Sequence, residues 1–379
     1  MRRASIPLLA FIAVAALQAC ASAGPSTDAA LASIRAVGPE GAGHEEASRA
    51  WSDLVARGPE AILPILAAFD ETNPRAANWL RAAVDALAAK ALADRQPLDA
   101  AGLEAFVRDL RRDGQARRLA YDWLVRLDPS APGRLLPGML DDPGRELRRD
   151  AVARALAEAE KRLKEGDRAG ATEAFRKLFP SSRDLDQVQA LAKHLKALGV
   201  DVDVQAHYGV LRRWTLITTF DNTAMKGFDV AYPPEKGVDP KAPLTGKGGL
   251  PVRYVESTTP DPLGKLDLNA ALGKEMGAIA YACAVVESPA DRPVELRVGT
   301  NNAVKIFLNG ALLQFRNEYH HGMKADQYVA RGRLRPGRNE VLLKVCQNEQ
   351  KEDWAQSWSF QARLCDALGG AVPFTEAGR

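Results

Sequence analysis

Cysteine is scarce, with four in 379 residues. Cys283, Cys346 and Cys365 form no C-x-x-C pair and no metal-ligand spacing, which excludes a thiol-redox motif and a zinc site built on thiolates. Three thiols leave one unpaired even if two were bridged, and each sits in an apolar, strand-like context, so they read as buried free thiols. Charge of one sign is also lacking. Lys and Arg number 51 against 48 Asp and Glu, and Arg2 and Arg3 belong to a leader, so the remaining chain is close to neutral. That excludes the electrostatic footprint of a nucleic-acid binder and a basic membrane patch. Beyond the leader no apolar run is long enough to span a bilayer. Catalytic signatures are missing too: there is no Gly-x-Ser-x-Gly, no His-Glu-x-x-His and no Walker A loop, and the glycines of 246–249 lack a phosphate-loop spacing. The one histidine cluster is His320-His321, and neighbours in a strand point to opposite faces, so no metal is assigned to it. No cofactor and no catalytic residue follow from the sequence.

What is present begins with Met1-Arg2-Arg3-Ala4-Ser5-Ile6-Pro7 and an uncharged stretch from Leu8 to Leu17. A short basic region followed by an apolar run of this length is a secretory signal. The run ends Leu17-Gln18-Ala19-Cys20, which resembles the bacterial lipobox. The resemblance implies that Cys20 becomes the lipidated N-terminus, held in the membrane at about 0.8 kcal/mol per buried methylene. Residues 1–20 are therefore read as a lipoprotein signal peptide and 21–44, small and polar at their start, as a flexible tether. Ala21 is not the aspartate associated with inner-membrane retention. The expected location is exported and lipid-anchored, at the outer membrane or cell surface rather than the inner membrane.

From residue 45 to 199 apolar residues recur at three and four. The sets are Ile62, Leu63, Ile65, Leu66 and Phe69; Leu80, Val84, Leu87 and Leu92; Leu103, Phe106, Val107 and Leu110; Leu119, Trp123, Leu124 and Leu127; Val152, Leu156, Ala159 and Leu163; and Val188, Leu191, Leu195 and Leu198. Each makes one stripe of an amphipathic helix. Breakers such as Gly58-Pro59, Asn73-Pro74, Gln96-Pro97, Asp113-Gly114, Asp142-Pro143 and Gly166-Asp167 separate them. Asp142 is expected to cap a helix starting at Pro143. Asp141-Asp142-Pro143 followed by Arg148-Arg149-Asp150-Ala151-Val152 resembles a HEAT-type repeat, and residues 166–179 resemble a tetratricopeptide helix. An α-solenoid-like domain is the expectation, with a compact bundle as the alternative.

After Gly199 the period changes to two. Val200, Val202 and Val204 alternate, and 214–220 is aromatic and β-branched. Residues 221–262 are rich in Gly, Pro, Asp and Lys and read as a long loop region. Strands follow at 279–286, 294–298, 304–308, 328–329, 341–345 and 358–364, with Asn309-Gly310 as a type I′ hairpin turn. The fold class is multidomain α and β: a helical repeat domain at 45–199 and an antiparallel β-sandwich at 200–379.

Three stretches of the second part carry a resemblance. They are Trp214 to Asn222 with Gly227-Phe228-Asp229 and Tyr232-Pro233-Pro234-Glu235; Glu295 to Gly299 with Val304 to Gly310; and Leu334 to Asn339 with Leu342 to Val345. Together they resemble the galactose-binding-domain-like jelly roll, a carbohydrate-binding-module-like fold. Where that family commonly carries a Ser-Asp-Asp-Gly-type turn, this chain has Thr300-Asn301-Asn302-Ala303, whose neutral amides weaken any calcium role. The resemblance implies ligand contact through end loops or a concave sheet face. The loops that qualify carry Asn301, Asn302, Asp326 and Trp354, a set of amides, a carboxylate and an aromatic platform suited to hydroxyl-rich ligands. Trp358 alternates with Phe360 and belongs to the core. The expected function is non-catalytic binding or scaffolding at the cell envelope, to glycan through the sandwich or to a protein partner through the helices. The alternative is an enzyme or enzyme accessory acting on envelope or extracellular polysaccharide.

Overall fold

The computed structural model describes residues 26–69 and 73–377. Cys20 and the signal motif lie outside the described residues. The chain divides into two compact units, Met1–Pro132 and Gly133–Arg379, with the division inside a short helix, α7 (Ala131–Leu135). Compactness therefore changes earlier than the hydrophobic period, which changes near Gly199. Helices dominate the first part of the chain and antiparallel sheets the last part.

The first unit packs α1 (Thr27–Arg35) against α2 (His44–Val55), α3 (Ile62–Ala67) against α4 (Pro74–Ala93) and α5 (Ala100–Arg108) against α6 (Gly114–Leu127). The helical part thus starts inside the stretch read as tether. Ser26 caps α1 by accepting from Ala29 N, and Ala30, Leu31 and Ile34 bury one face. Several breakers prove to be caps. Asn73 accepts from Ala76 N with Pro74 at the first helical position, and Asp113 accepts from Gln115 N and Ala116 N; after the breaker Gln96-Pro97 the cap is instead Asp99, which accepts from Gly102 N.

The second unit opens with α8 (Arg145–Lys164), α9 (Arg168–Leu178) and α10 (Leu185–Ala197), followed by the single-turn α11 (Val204–Tyr208). Helix α8 starts two residues later than Asp142-Pro143 implies. The Asp142 carboxylate accepts from Gly144 N at 2.7 Å, closing a turn before the helix, and Gly144 occupies the N-cap without a side-chain cap. Val200, Val202 and Val204 form no strand. Asp203 caps α11 by accepting from Ala206 N, Gly209 ends it in the left-handed region, and the three valines pack on the helical core around Phe175, Leu191 and Leu195.

The strands are β1 (Arg213–Asp221), β2 (Leu244–Thr245), β3 (Pro251–Val252), β4 (Val255–Thr258), β5 (Leu266–Asp267), then the one-turn helix α12 (Leu268–Leu272), β6 (Ala278–Ser288), β7 (Arg292–Thr300), β8 (Ala303–Leu308), β9 (Ala311–Arg316), β10 (Tyr328–Leu334), β11 (Gly337–Gln347), β12 (Ser359–Cys365) and β13 (Thr375–Ala377). A larger antiparallel sheet runs β4-β1-β6-β11-β8-β9, with β13 also on β6; a smaller one runs β10-β7-β12-β5. Alternate residues of both sheets meet in one core. On β6 the inward positions are Ala278, Ala280, Ala282 and Ala284, small enough to admit the bulk of Trp214, Trp358 and Phe360. The hairpin between β8 and β9 turns at Asn309 and Gly310, both with positive φ, as the Asn-Gly pair implies.

The outer face of the larger sheet is covered as well. Ile217, Phe220, Ile279, Tyr281, Cys283, Leu342 and Cys346 point outward and receive Phe228, Tyr232, Leu244 and Val252 from the 221–262 segment. Lys344, fully buried, fixes that cover: its ammonium donates to Phe228 O at 2.9 Å, Val230 O at 2.7 Å and Glu235 Oε1 at 3.0 Å. Tyr281 OH donates to the same Glu235 oxygen at 2.5 Å. Burial lowers the Lys344 pKa, and Glu235 opposes the shift. Cys283, Cys346 and Cys365 are buried and form no disulfide; burial pushes the Cys346 thiol up to about 12 and that of Cys365 up to about 11, which disfavours the thiolate at these two.

Candidate functional site

Four segments singled out in the sequence meet at one end of the two sheets. Asn222 N donates to Gly277 O, and Gly277 N donates to Asn348 O. The Asn222 side chain donates to Gln347 O at 3.0 Å and to Tyr319 OH at 3.1 Å. Ala224 N donates to the Glu349 carboxylate at 2.8 Å. The 221–262 segment, the 317–327 loop and the loop after β11 are therefore tied together by hydrogen bonds, and the β7–β8 turn joins them through Asn301 to His321 O and Asn302 to Gln347 Oε1.

The loop after β11 separates its two tryptophans by anchoring what lies between them. Ala355 is fully buried and its carbonyl accepts from Gln347 Nε2 at 3.2 Å. Trp358 is fully buried and its indole donates to Val345 O, so it is core as expected. Trp354, on a short 3-10 turn (Asp353–Ala355), is turned outward and 64% exposed. It is an unusually large apolar surface to leave in water, and it is held in place. His320 packs its ring edge-on against the indole at 5.4 Å and 84°, and His320 Nε2 is 2.7 Å from Asn348 Oδ1. His321 engages Gln327 and Tyr328 instead, so the two adjacent histidines serve separate contacts. Among the described residues no group of three His, Cys, Asp or Glu side chains is placed to hold a metal ion.

The other three sequence candidates are placed differently. Asn301 is half-buried beside the same loop: its oxygen accepts from Ser357 Oγ at 3.4 Å and Ser359 Oγ at 3.0 Å, and its amide donates to His321 O at 3.3 Å. Asn302 is fully buried and donates to Gln347 Oε1 at 3.0 Å, bracing the end from within. Asp326 faces the outer side of the smaller sheet, where it accepts from Arg363 at 2.6 Å through both oxygens and from Arg297 at 2.9 Å. Burial alone would raise its pKa; the Arg363 and Arg297 guanidiniums overcome that and hold it below the usual carboxylate value. Asn301 is therefore tied to both of the loops that carry Trp354 and His320, Asn302 braces them from within, and Asp326 belongs to an ion-pair network.

That network was not singled out by motif. Its signal is alternation: Glu295, Arg297 and Arg363 occupy the positions of β7 and β12 opposite to core residues Leu296, Val298, Ala362 and Leu364. A charged outward row on a central strand marks a sheet face that is covered by polar contacts rather than by a second apolar layer.

No protein-family model matches the chain, and no curated protein matches it. Among solved structures, a family 35 carbohydrate-binding module from an environmental isolate is similar at 11% identity and a TM-score of 0.19, over 28% of this chain and 74% of that one. A β-glucosidase from Kluyveromyces marxianus, in complex with glucose, is similar at 11% identity and a TM-score of 0.26, over 79% of this chain and 37% of that one.

Proposed function

We propose that this chain is a lipid-anchored, non-catalytic binding protein of the cell envelope that takes carbohydrate at the Trp354 end of its sheets. The observation that carries the reading is the exposed indole packed against His320, whose ring is in turn bonded to the Asn348 amide. A rigid aromatic face buries the apolar face of a sugar ring, and neighbouring amides serve its hydroxyls. The 221–262 segment covers the outer face of the larger sheet, which favours the end loops over that face for a glycan. An open site buries little area, so binding falls in the high micromolar to millimolar range. The test is a glycan array and polysaccharide co-sedimentation with the wild-type chain and Trp354→Ala. Binding lost in the variant at an unchanged melting temperature supports the reading; binding that persists while the melting temperature collapses, or no glycan bound at all, overturns it.

The anchoring half of the proposal rests on Leu17-Gln18-Ala19-Cys20. A palmitate analogue should label the wild type and not Cys20→Ser; equal label on both would remove the anchor from the proposal.

A further inference from the structure

Within the second unit a cleft of about 650 Å³ lies between the helical residues near 143–185 and the outer face of the smaller sheet. Its walls carry five arginines, Arg145, Arg148, Arg183, Arg297 and Arg331, against three carboxylates, Asp184, Glu295 and Asp326. Most of this charge is matched. Arg145 pairs with Asp184 at 2.7 Å, Arg331 with Glu295 at 3.3 Å, and Arg297 with both Glu295 and Asp326. Asp326 is claimed a second time by Arg363. Asp366, at the edge, already accepts from Leu368 N and Gly370 N.

Arg148 is the exception. It is 3% exposed, and its two terminal nitrogens donate only to carbonyls, Asp142 O at 2.8 Å and Leu368 O at 3.0 Å. Among the described residues no carboxylate is bonded to it, and its Nε is buried without a hydrogen-bond partner. Arg183 differs in having a carboxylate, Asp141, on Nη2 at 3.1 Å, but its Nη1 is likewise buried without a hydrogen-bond partner. Burial and the neighbouring Arg183 charge lower the Arg148 pKa, with Asp184, Arg145 and Asp366 as smaller influences of mixed sign. A buried guanidinium with an unused N–H, beside the partly buried Arg183, is costly unless an acceptor arrives. Guanidinium groups match the paired oxygens of oxyanions.

We propose that this cleft binds an oxyanion, a carboxylate or phosphate group of a small ligand, through Arg148 and Arg183. The site is separate from the Trp354 surface and does not depend on it. Arg148 Nε and Arg183 Nη1 are closed to solvent, so the ligand reaches them as the partly exposed Arg183 side chain shifts at the cleft edge, and the arginines lining the cleft supply the attraction.

The experiment is a thermal-shift and calorimetric titration of the full chain with sodium phosphate and, separately, sodium succinate, against sodium chloride at matched ionic strength. A saturable stabilisation above chloride is expected from at least one anion. Phosphate alone assigns phosphoryl ligands, succinate alone carboxylates, and both the shared chemistry. Arg183→Gln, whose side chain is at the cleft edge, should weaken that response at least tenfold while remaining folded. Arg148→Lys, which keeps the charge but not the Nε–H, should weaken it similarly. No saturable response above chloride, or a response unchanged in Arg183→Gln, overturns the proposal.

Discussion

Lys344 is an ammonium without solvent exposure, and all three of its donors are used. Removing it leaves Glu235 without its cation and two carbonyls without a donor. Breaking a buried pair from one side costs about 3–5 kcal/mol, more than the pair itself contributes relative to an apolar replacement. Lys344→Met should therefore lower the urea midpoint by that equivalent; a loss below about 1 kcal/mol would mean that the 221–262 cover is held chiefly by Phe228 and Tyr232. Asp326 makes a pH-dependent contribution whose sign is fixed by its lowered native pKa. A depressed carboxylate stabilises the fold above its ordinary value of 3.8, and that stabilisation is lost as pH falls through the native value. Asp326→Asn should be less stable than wild type at pH 6, and the gap should shrink by pH 3. Urea unfolding at the two pH values checks this, and a gap that widens in acid would reverse the assignment.

At the scale of elements, the legible parts are those where one local signal acts alone. Asn309-Gly310 specified its turn, Asp113 and Asn73 specified helix starts, and the alternation of Val294, Leu296 and Val298 specified the inward face of β7. The misread elements are those where two signals compete. Val200, Val202 and Val204 alternate like a strand, but the Asp203 cap and the helical core beside them decide the outcome. Of the candidate site, Trp354 and Trp358 were separable because one alternates with Phe360 and the other does not. Asn302 and Asp326 were not, since their partners Gln347, Arg297 and Arg363 are distant in sequence. The end loops also depend on close approach. A Cβ on Gly299 would lie 2.2 Å from Lys324 O, so only glycine lets the 317–327 loop sit against β7. Gly299→Ala should displace that loop, costing about 1–3 kcal/mol, and should weaken any ligand binding at Trp354 through the His320 contact. A wild-type melting temperature with intact binding would show that the loop is positioned by other contacts.

At the scale of the whole molecule, the sheets do not stand alone within their unit. Tyr208 and Val210 are 4% and 3% exposed because they share the core of α8, α9 and α10 with Phe175 and Leu191. Tyr208 in turn lies under Arg363, whose guanidinium is 3.7 Å from the ring centre and donates to Tyr208 O at 3.1 Å. Arg148 on α8 reaches Leu368 O beyond the last core strand. A fragment cut where the hydrophobic period changes, 205–379, exposes the Tyr208 and Val210 faces and removes Arg148 from Leu368. A fragment cut at the compact boundary, 133–379, keeps all of them. The longer fragment should unfold in one transition with mixed helical and β circular dichroism. The shorter should melt lower and bind a hydrophobic dye in its folded baseline, since burying an aromatic and a valine contributes on the order of 1.5–3 kcal/mol each. Equal midpoints and no dye binding would show that the sheets fold without the preceding helices, and that the boundary near Gly199 is the one that governs stability.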